Sequence, residues 1–150
     1  MATHILDSDQ PLHLNLPYAN PESQIFSQEV VFEVRLEQEE ENKLAQISGN
    51  SSVINTSVSG IIFNDLLKHS RRSSLNLKTE LIAEAGQSST LRVTIPSLTS
   101  DQIDMFRGSF GYLEFRYLEQ SFLRLLSIFD EGNKGEKVAI VFKRNKSFFA

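Results

Sequence analysis

A chain of 150 residues, 40% hydrophobic and 23% charged, is long enough for one compact domain and too ordinary in composition for a disordered, collagen-like or coiled-coil protein. It contains no cysteine, which excludes disulfides, thiolate metal sites and cysteine nucleophiles and fits a reducing compartment. The net charge of −4 is unevenly spread, residues 1–50 carrying −7 and residues 51–150 carrying +3.

The opening Met-Ala-Thr-His-Ile-Leu-Asp lacks the basic and apolar regions of a secretory leader, and the longest apolar runs fall far short of a membrane span. These features predict a cytoplasmic chain with no membrane insertion. Residues 1–24 hold three of the four prolines and read as an extended N-terminal arm. The alternation of Leu12, Leu14 and Leu16 would let that arm lie along the domain or along a partner. Residues 25–146 read as a single β-rich domain, and 147–150 as a tail.

Val30, Phe32, Val34 and Leu36 alternate with Glu33, Arg35 and Glu37, the period of a half-buried strand. The run Glu37, Glu39, Glu40 and Glu41 reads as a solvated turn, because like charges repel. A β-branched stretch, Val53 to Phe63, contains Gly60, which suggests a bulge or bend. Asn64 to His69 reads as a short capped helical turn, followed by the polar loop Ser70-Arg71-Arg72-Ser73-Ser74. Leu75, Leu77, Thr79, Leu81 and Ala83 then form a hairpin with Leu91 to Ile95.

Pro96 ends that strand, and Thr99-Ser100-Asp101-Gln102 opens a second short helix stopped at Gly108. Phe110 to Tyr117 is an aromatic, alternating strand. The residues Phe122, Leu125, Leu126 and Phe129, joined by Leu123 and Ile128, form a broad stripe at helical spacing, so Glu119 to Glu131 is predicted to be an amphipathic helix ended by Gly132. Val138 to Phe142 is the last strand. The fold class is therefore mostly β: an antiparallel barrel or sandwich with one C-terminal amphipathic helix and one or two short helices. There is no internal repeat.

Enzymatic signatures are missing. His4, His13 and His69 stand apart from any metal-ligand spacing, and there is no nucleophile elbow, phosphate-binding glycine loop or Rossmann fingerprint. No catalytic, metal or cofactor residue is assigned, and the chain reads as a non-enzyme. Two basic clusters invite anions: Lys68, Arg71 and Arg72, where arginine forks suit phosphate, and Lys143, Arg144 and Lys146 beside Phe148 and Phe149.

The segment Asn55-Thr56-Ser57-Val58-Ser59-Gly60-Ile61 resembles the Asp/Asn-x-Ser-x-x-Gly signature of PilZ domains, small β-barrels many of which bind cyclic di-GMP. Gly111 to Phe115 resembles the family's Gly-x-x-x-Phe strand, Glu119 to Glu131 resembles its C-terminal helix, and the order of elements over residues 25–131 agrees. The resemblance implies binding residues at Asn55, Ser57 and Gly60. The family's Arg-x-x-x-Arg element has no counterpart in residues 21–28, which hold no arginine. Arg71 and Arg72 are the candidate substitutes.

The resemblance thus implies a degenerate, ligand-free relative working as an adaptor or regulator through a protein partner. Two other readings stand beside it. One is a subunit of a larger assembly, including a homo-oligomer, docking through its arm and the Phe148-Phe149 end. The other is a nucleic-acid binder using Lys143, Arg144 and Lys146.

Overall fold

The computed structural model describes residues 4–7, 9–16, 27–49, 58–66, 71–83, 88–99, 101–102, 110–130 and 138–145. Nine strands form a nearly closed barrel: β1 (Ile5–Leu6), β2 (Leu12–Leu16), β3 (Val30–Arg35), β4 (Val58–Leu66), β5 (Arg71–Ile82), β6 (Thr90–Ile95), β7 (Phe110–Tyr117), β8 (Gln120–Asp130) and β9 (Val138–Arg144). A helix, α1 (Gln38–Ser48), lies between β3 and β4 in the chain. The strand order is β1-β3-β6-β5-β4-β7-β8-β9-β2. Every neighbouring pair is antiparallel except β1 and β3.

The two outermost strands, β1 and β2, are consecutive in the chain, and this is what closes the barrel. The N-terminal segment pairs with β3 at one end of the sheet and with β9 at the other. Contacts across the seam show how near the two ends come. The ring of Phe32 in β3 stacks on Phe142 in β9 with centroids 4.9 Å apart, and the Arg144 guanidinium of β9 donates to the carbonyl of Arg35 in β3. Part of the stretch read from its prolines as an arm therefore lies in the sheet, with Leu6, Leu14 and Leu16 in the core.

Period-two patterning accounts for the interior. Phe32 and Val34 on β3, Leu91, Val93 and Ile95 on β6, Leu77 and Leu81 on β5, and Ile62 on β4 all face inward and are buried. Leu113 and Phe115 on β7, and Ile140 and Phe142 on β9, complete the lining. The hairpin read in residues 75–95 is present, with Leu81 opposite Leu91, and β6 ends at Ile95, just before Pro96.

Five local expectations are corrected. Residues 120–130 are strand β8, not a helix, so the C-terminal helix of the PilZ-like order of elements is not formed there. Their apolar residues satisfy both periods, since Leu123, Leu125, Ser127 and Phe129 alternate inward as well as fitting a helical stripe. Pairing with β7 and β9 decides between the two. A register shift between Phe115 and Arg116 leaves Phe122 as an extra residue on β8, so Phe122 is buried beside Leu123 and reinforces the apparent helical spacing.

The acidic run is not a solvated turn but the start of α1. Glu37 is the N-cap and its N–H donates to Glu40 Oε1 at 2.8 Å, while Glu39, Glu40 and Glu41 occupy the positive end of the helix dipole. Gly49, at φ +65°, ends the helix with its N–H on the carbonyl of Ala45.

Of the bulge or bend expected at Gly60, the bulge is absent, the pairing of β4 with β7 running unbroken from Val58 to Asn64. Lastly, Asn64, Asp65 and Leu66 continue β4 instead of opening a helical turn, and Arg71 to Ser74, read as a loop, begin β5 opposite them. Residues 67–70 lie outside the described residues. Of the helix expected from Thr99, Asp101 and Gln102 are helical, and 103–109 lie outside the described residues. Its cap is reciprocal: Thr99 N–H donates to Gln102 Oε1 at 3.0 Å and Gln102 N–H to Thr99 Oγ1 at 3.2 Å.

Candidate functional site

Of the residues singled out in the sequence, Gly60 has the clearest place. It faces into the barrel, where an added Cβ would stand 2.6 Å from Thr79 Oγ1 and 3.2 Å from Phe115 Cε1. The close approach of β4, β5 and β7 side chains explains the glycine without a ligand. Asn55 and Ser57 lie outside the described residues. Arg71 and Arg72 are the first two residues of β5, opposite Leu66 and Asp65, and their side chains are outside the described set.

The C-terminal basic cluster is divided by the fold. Lys143 is exposed, whereas Arg144 is buried and turned inward. The Arg144 guanidinium bonds Glu40 through Nε at 2.9 Å and through a terminal nitrogen at 3.2 Å, and Glu37 lies 3.2 Å from its Nε. Arg144 therefore ties α1 to the barrel and is not a phosphate contact on the surface. Lys146, Phe148 and Phe149 lie outside the described residues, as does His69.

The most chemically loaded surface is one the sequence reading did not single out, on the outer face of β4, β7, β8 and β9. Register builds it in rows. Phe63, Tyr112, Leu126 and Lys143 stand side by side across the four strands. Ile61, Glu114 and Arg124 form the next row, Ser59, Arg116 and Ser121 the one beyond, and Ile128 and Val141 pair on the other side. All point away from the core by the alternation that buries Leu113, Phe115, Leu123 and Leu125.

Glu114 sits at the centre of a charge cluster with its side chain only 7% exposed. Arg116 donates to its Oε2 through Nε at 2.9 Å and through a terminal nitrogen at 2.6 Å, and Arg124 donates to its Oε1 at 2.8 Å. Each arginine also lies over a ring: Arg116 is 5.4 Å from the centroid of Phe63 and Arg124 is 5.1 Å from that of Tyr112. Burial pushes the Glu114 carboxyl up, but hydrogen bonds from Arg124 and Arg116, together with their charges, outweigh it and hold the group below the usual glutamate range.

The result is a sheet face with two arginines, Arg116 and Arg124, around one neutralised carboxylate, and with exposed Lys143 in the neighbouring row. Beside them runs an apolar row of Tyr112, Leu126, Ile128 and Val141. Ile128 is 41% exposed, and the others are half-buried. Arginine and tyrosine among aliphatic side chains are the residue types that dominate protein interfaces.

The sequence held one sign of this face, the Glu114-x-Arg116 alternation on a strand. Arg124 and Ile128 were hidden because a helix at 120–130 would have placed them out of register with β7. Among the described residues, no helix is long and apolar enough to cross a membrane. Comparison with known proteins finds no family model, no curated protein and no solved structure that matches this chain.

Proposed function

We propose that this chain is a non-enzymatic adaptor or regulatory module of the cytoplasm, working through a protein partner that docks on the outer face of β7, β8 and β9. The observation that carries the reading is the solvent-facing row Tyr112, Leu126, Ile128 and Val141 bordered by Arg124 and Lys143. A barrel whose core is already filled by inward residues gains nothing from exposing an isoleucine there. The three cations favour a partner surface that sets acidic side chains around an apolar centre.

A photo-crosslinking amino acid at Ile128, with a control at exposed Lys78 on β5, tests this in a native extract. A discrete protein adduct from Ile128 and none from Lys78, lost when Leu126 is changed to Asp, is the expected result. Equal adducts at both positions, or none at Ile128, overturn the assignment of this face.

The PilZ-like motif gives the reading a more specific form, a degenerate PilZ-like barrel in which Asn55, Ser57, Arg71 and Arg72 are the candidate anion-binding residues and Gly60 is a packing position. Calorimetric titration with cyclic di-GMP separates the two forms. Saturable heat abolished by R71E/R72E supports nucleotide binding at that end of β5, and silence leaves protein contacts alone.

A further inference from the structure

We infer that the tip of the β7–β8 hairpin is a self-association site, at which a second copy of this chain docks about a two-fold axis. This goes beyond the proposed adaptor face, whose apolar row of Tyr112, Leu126, Ile128 and Val141 lies farther along the same sheet from the hairpin tip.

The argument begins with the backbone. Tyr117 pairs with Gln120, so Leu118 and Glu119 form a two-residue hairpin loop, and both have positive φ, +50° and +63°. That geometry matches strand twist, but it is ordinarily supplied by Asn-Gly or Asp-Gly, because a side chain such as leucine crowds the backbone in the left-handed region. Leucine gains nothing here from the core, since Leu118 is 59% exposed. A residue held at a conformational cost without burial points to a role for its side chain outside the fold.

The surroundings say what would cover it. Leu118, Glu119, Arg116, Ser59 and Ile61 line an open groove of about 610 Å³. Arg116 directs Nε and one terminal nitrogen to Glu114, yet its side chain stays 37% exposed. The apolar pair Leu118 and Ile61 is thus flanked by a cation on one side and exposed Glu119 on the other. A uniformly acidic partner would meet Glu119, and a uniformly basic one would meet Arg116. A surface of the same mixed pattern satisfies both. Under a two-fold operator Arg116 of one copy faces Glu119 of the other, and the Leu118 side chains cover each other and Ile61, as an isologous interface requires.

Sedimentation velocity of the full chain over a wide concentration range reads the association directly. The wild type is expected to sediment as a monomer–dimer equilibrium. The double variant L118N/E119G supplies the residues the loop geometry prefers, so it should melt at a higher temperature while weakening dimerisation by about tenfold or more. Glu119→Lys should weaken dimerisation comparably with no change in the melting of the monomer, read at low concentration. Ile128→Glu, on the same outer face but at the opposite end of the β7–β8 hairpin, should leave the dimer intact. A wild type that stays monomeric at every concentration overturns the proposal. So does an L118N/E119G variant that dimerises normally, or one that melts lower than the wild type at concentrations where both are monomeric.

Discussion

Gly60 and Arg144 show two ways in which a single position is constrained from inside the barrel. At Gly60 the constraint is steric. Gly60→Ala sets a methyl group against Thr79 Oγ1 and is expected to cost about 1–3 kcal/mol, the range for overpacking a filled core. Thr79→Ala in the same background removes the opposing oxygen and should recover part of the loss in chemical denaturation; no recovery would mean that Phe115 supplies the clash. At Arg144 the constraint is electrostatic.

Arg144→Met leaves Glu40 buried without its partner, an expected cost of roughly 3–5 kcal/mol. The pair Glu40→Leu and Arg144→Met should cost less than the two single changes summed; simple additivity would show that the two side chains are not coupled.

Glu114 adds a pH dependence. Because folding holds its carboxyl below the value in the unfolded chain, the unfolded state binds the proton more readily. The stability it contributes is therefore complete above the ordinary glutamate range and is lost as pH falls through the depressed value. The gap in unfolding free energy between wild type and Glu114→Gln should be widest near neutrality and close toward acid. A gap constant with pH would place the effect of the substitution in packing instead.

At the scale of elements, legibility followed how many faces of a segment are buried. Strands β3, β6 and β7 each bury one face, so alternation in Val30 to Arg35, Thr90 to Ile95 and Phe110 to Tyr117 was enough to place them. In β8 the bulge buries Phe122 next to Leu123, and Leu126 and Ile128 face outward as aliphatics, so the two-fold period is masked. No local signal could separate that run from a helix; the strand exists because β7 and β9 pair with it.

The candidate surface was hidden by the same confusion, since Tyr112, Leu126 and Lys143 become neighbours only in a sheet. The helix α1 was hidden for the opposite reason. It buries little beyond Leu44, and its identity rests on capping, on the acidic first turn and on Glu40, whose burial among charges no periodicity expresses. Leu44→Ala should therefore loosen α1, speeding hydrogen exchange in residues 38–48 while β6 and β7 keep their protection. Uniform loss of protection would instead make the helix part of the barrel's cooperative unit.

At the scale of the whole molecule, closure depends on the residues first in the chain. The strands from β3 to β9 form a continuous ladder whose two end strands touch through side chains but have no strand pairing with each other, each pairing instead with β1 or β2. Glu33 N–H donates to the His4 carbonyl at 2.8 Å on one side of the seam, and five residues from Leu12 to Leu16 pair with β9 on the other. Burying Leu6, Leu14 and Leu16 contributes about 1.5–3 kcal/mol each, so the segment carries an amount comparable to the ~5–15 kcal/mol net stability of an ordinary domain.

Deleting residues 1–16 should then expose two unpaired strand edges together, β3 and β9, and convert a cooperative thermal transition into a broad one with aggregation. A synthetic peptide of residues 4–16 added in trans should restore the sharp transition, because the groove it fills is built by β3 and β9. A truncated chain that still unfolds sharply at the wild-type midpoint would show that the seam closes without its N-terminal strands, and that the core of the barrel is self-sufficient.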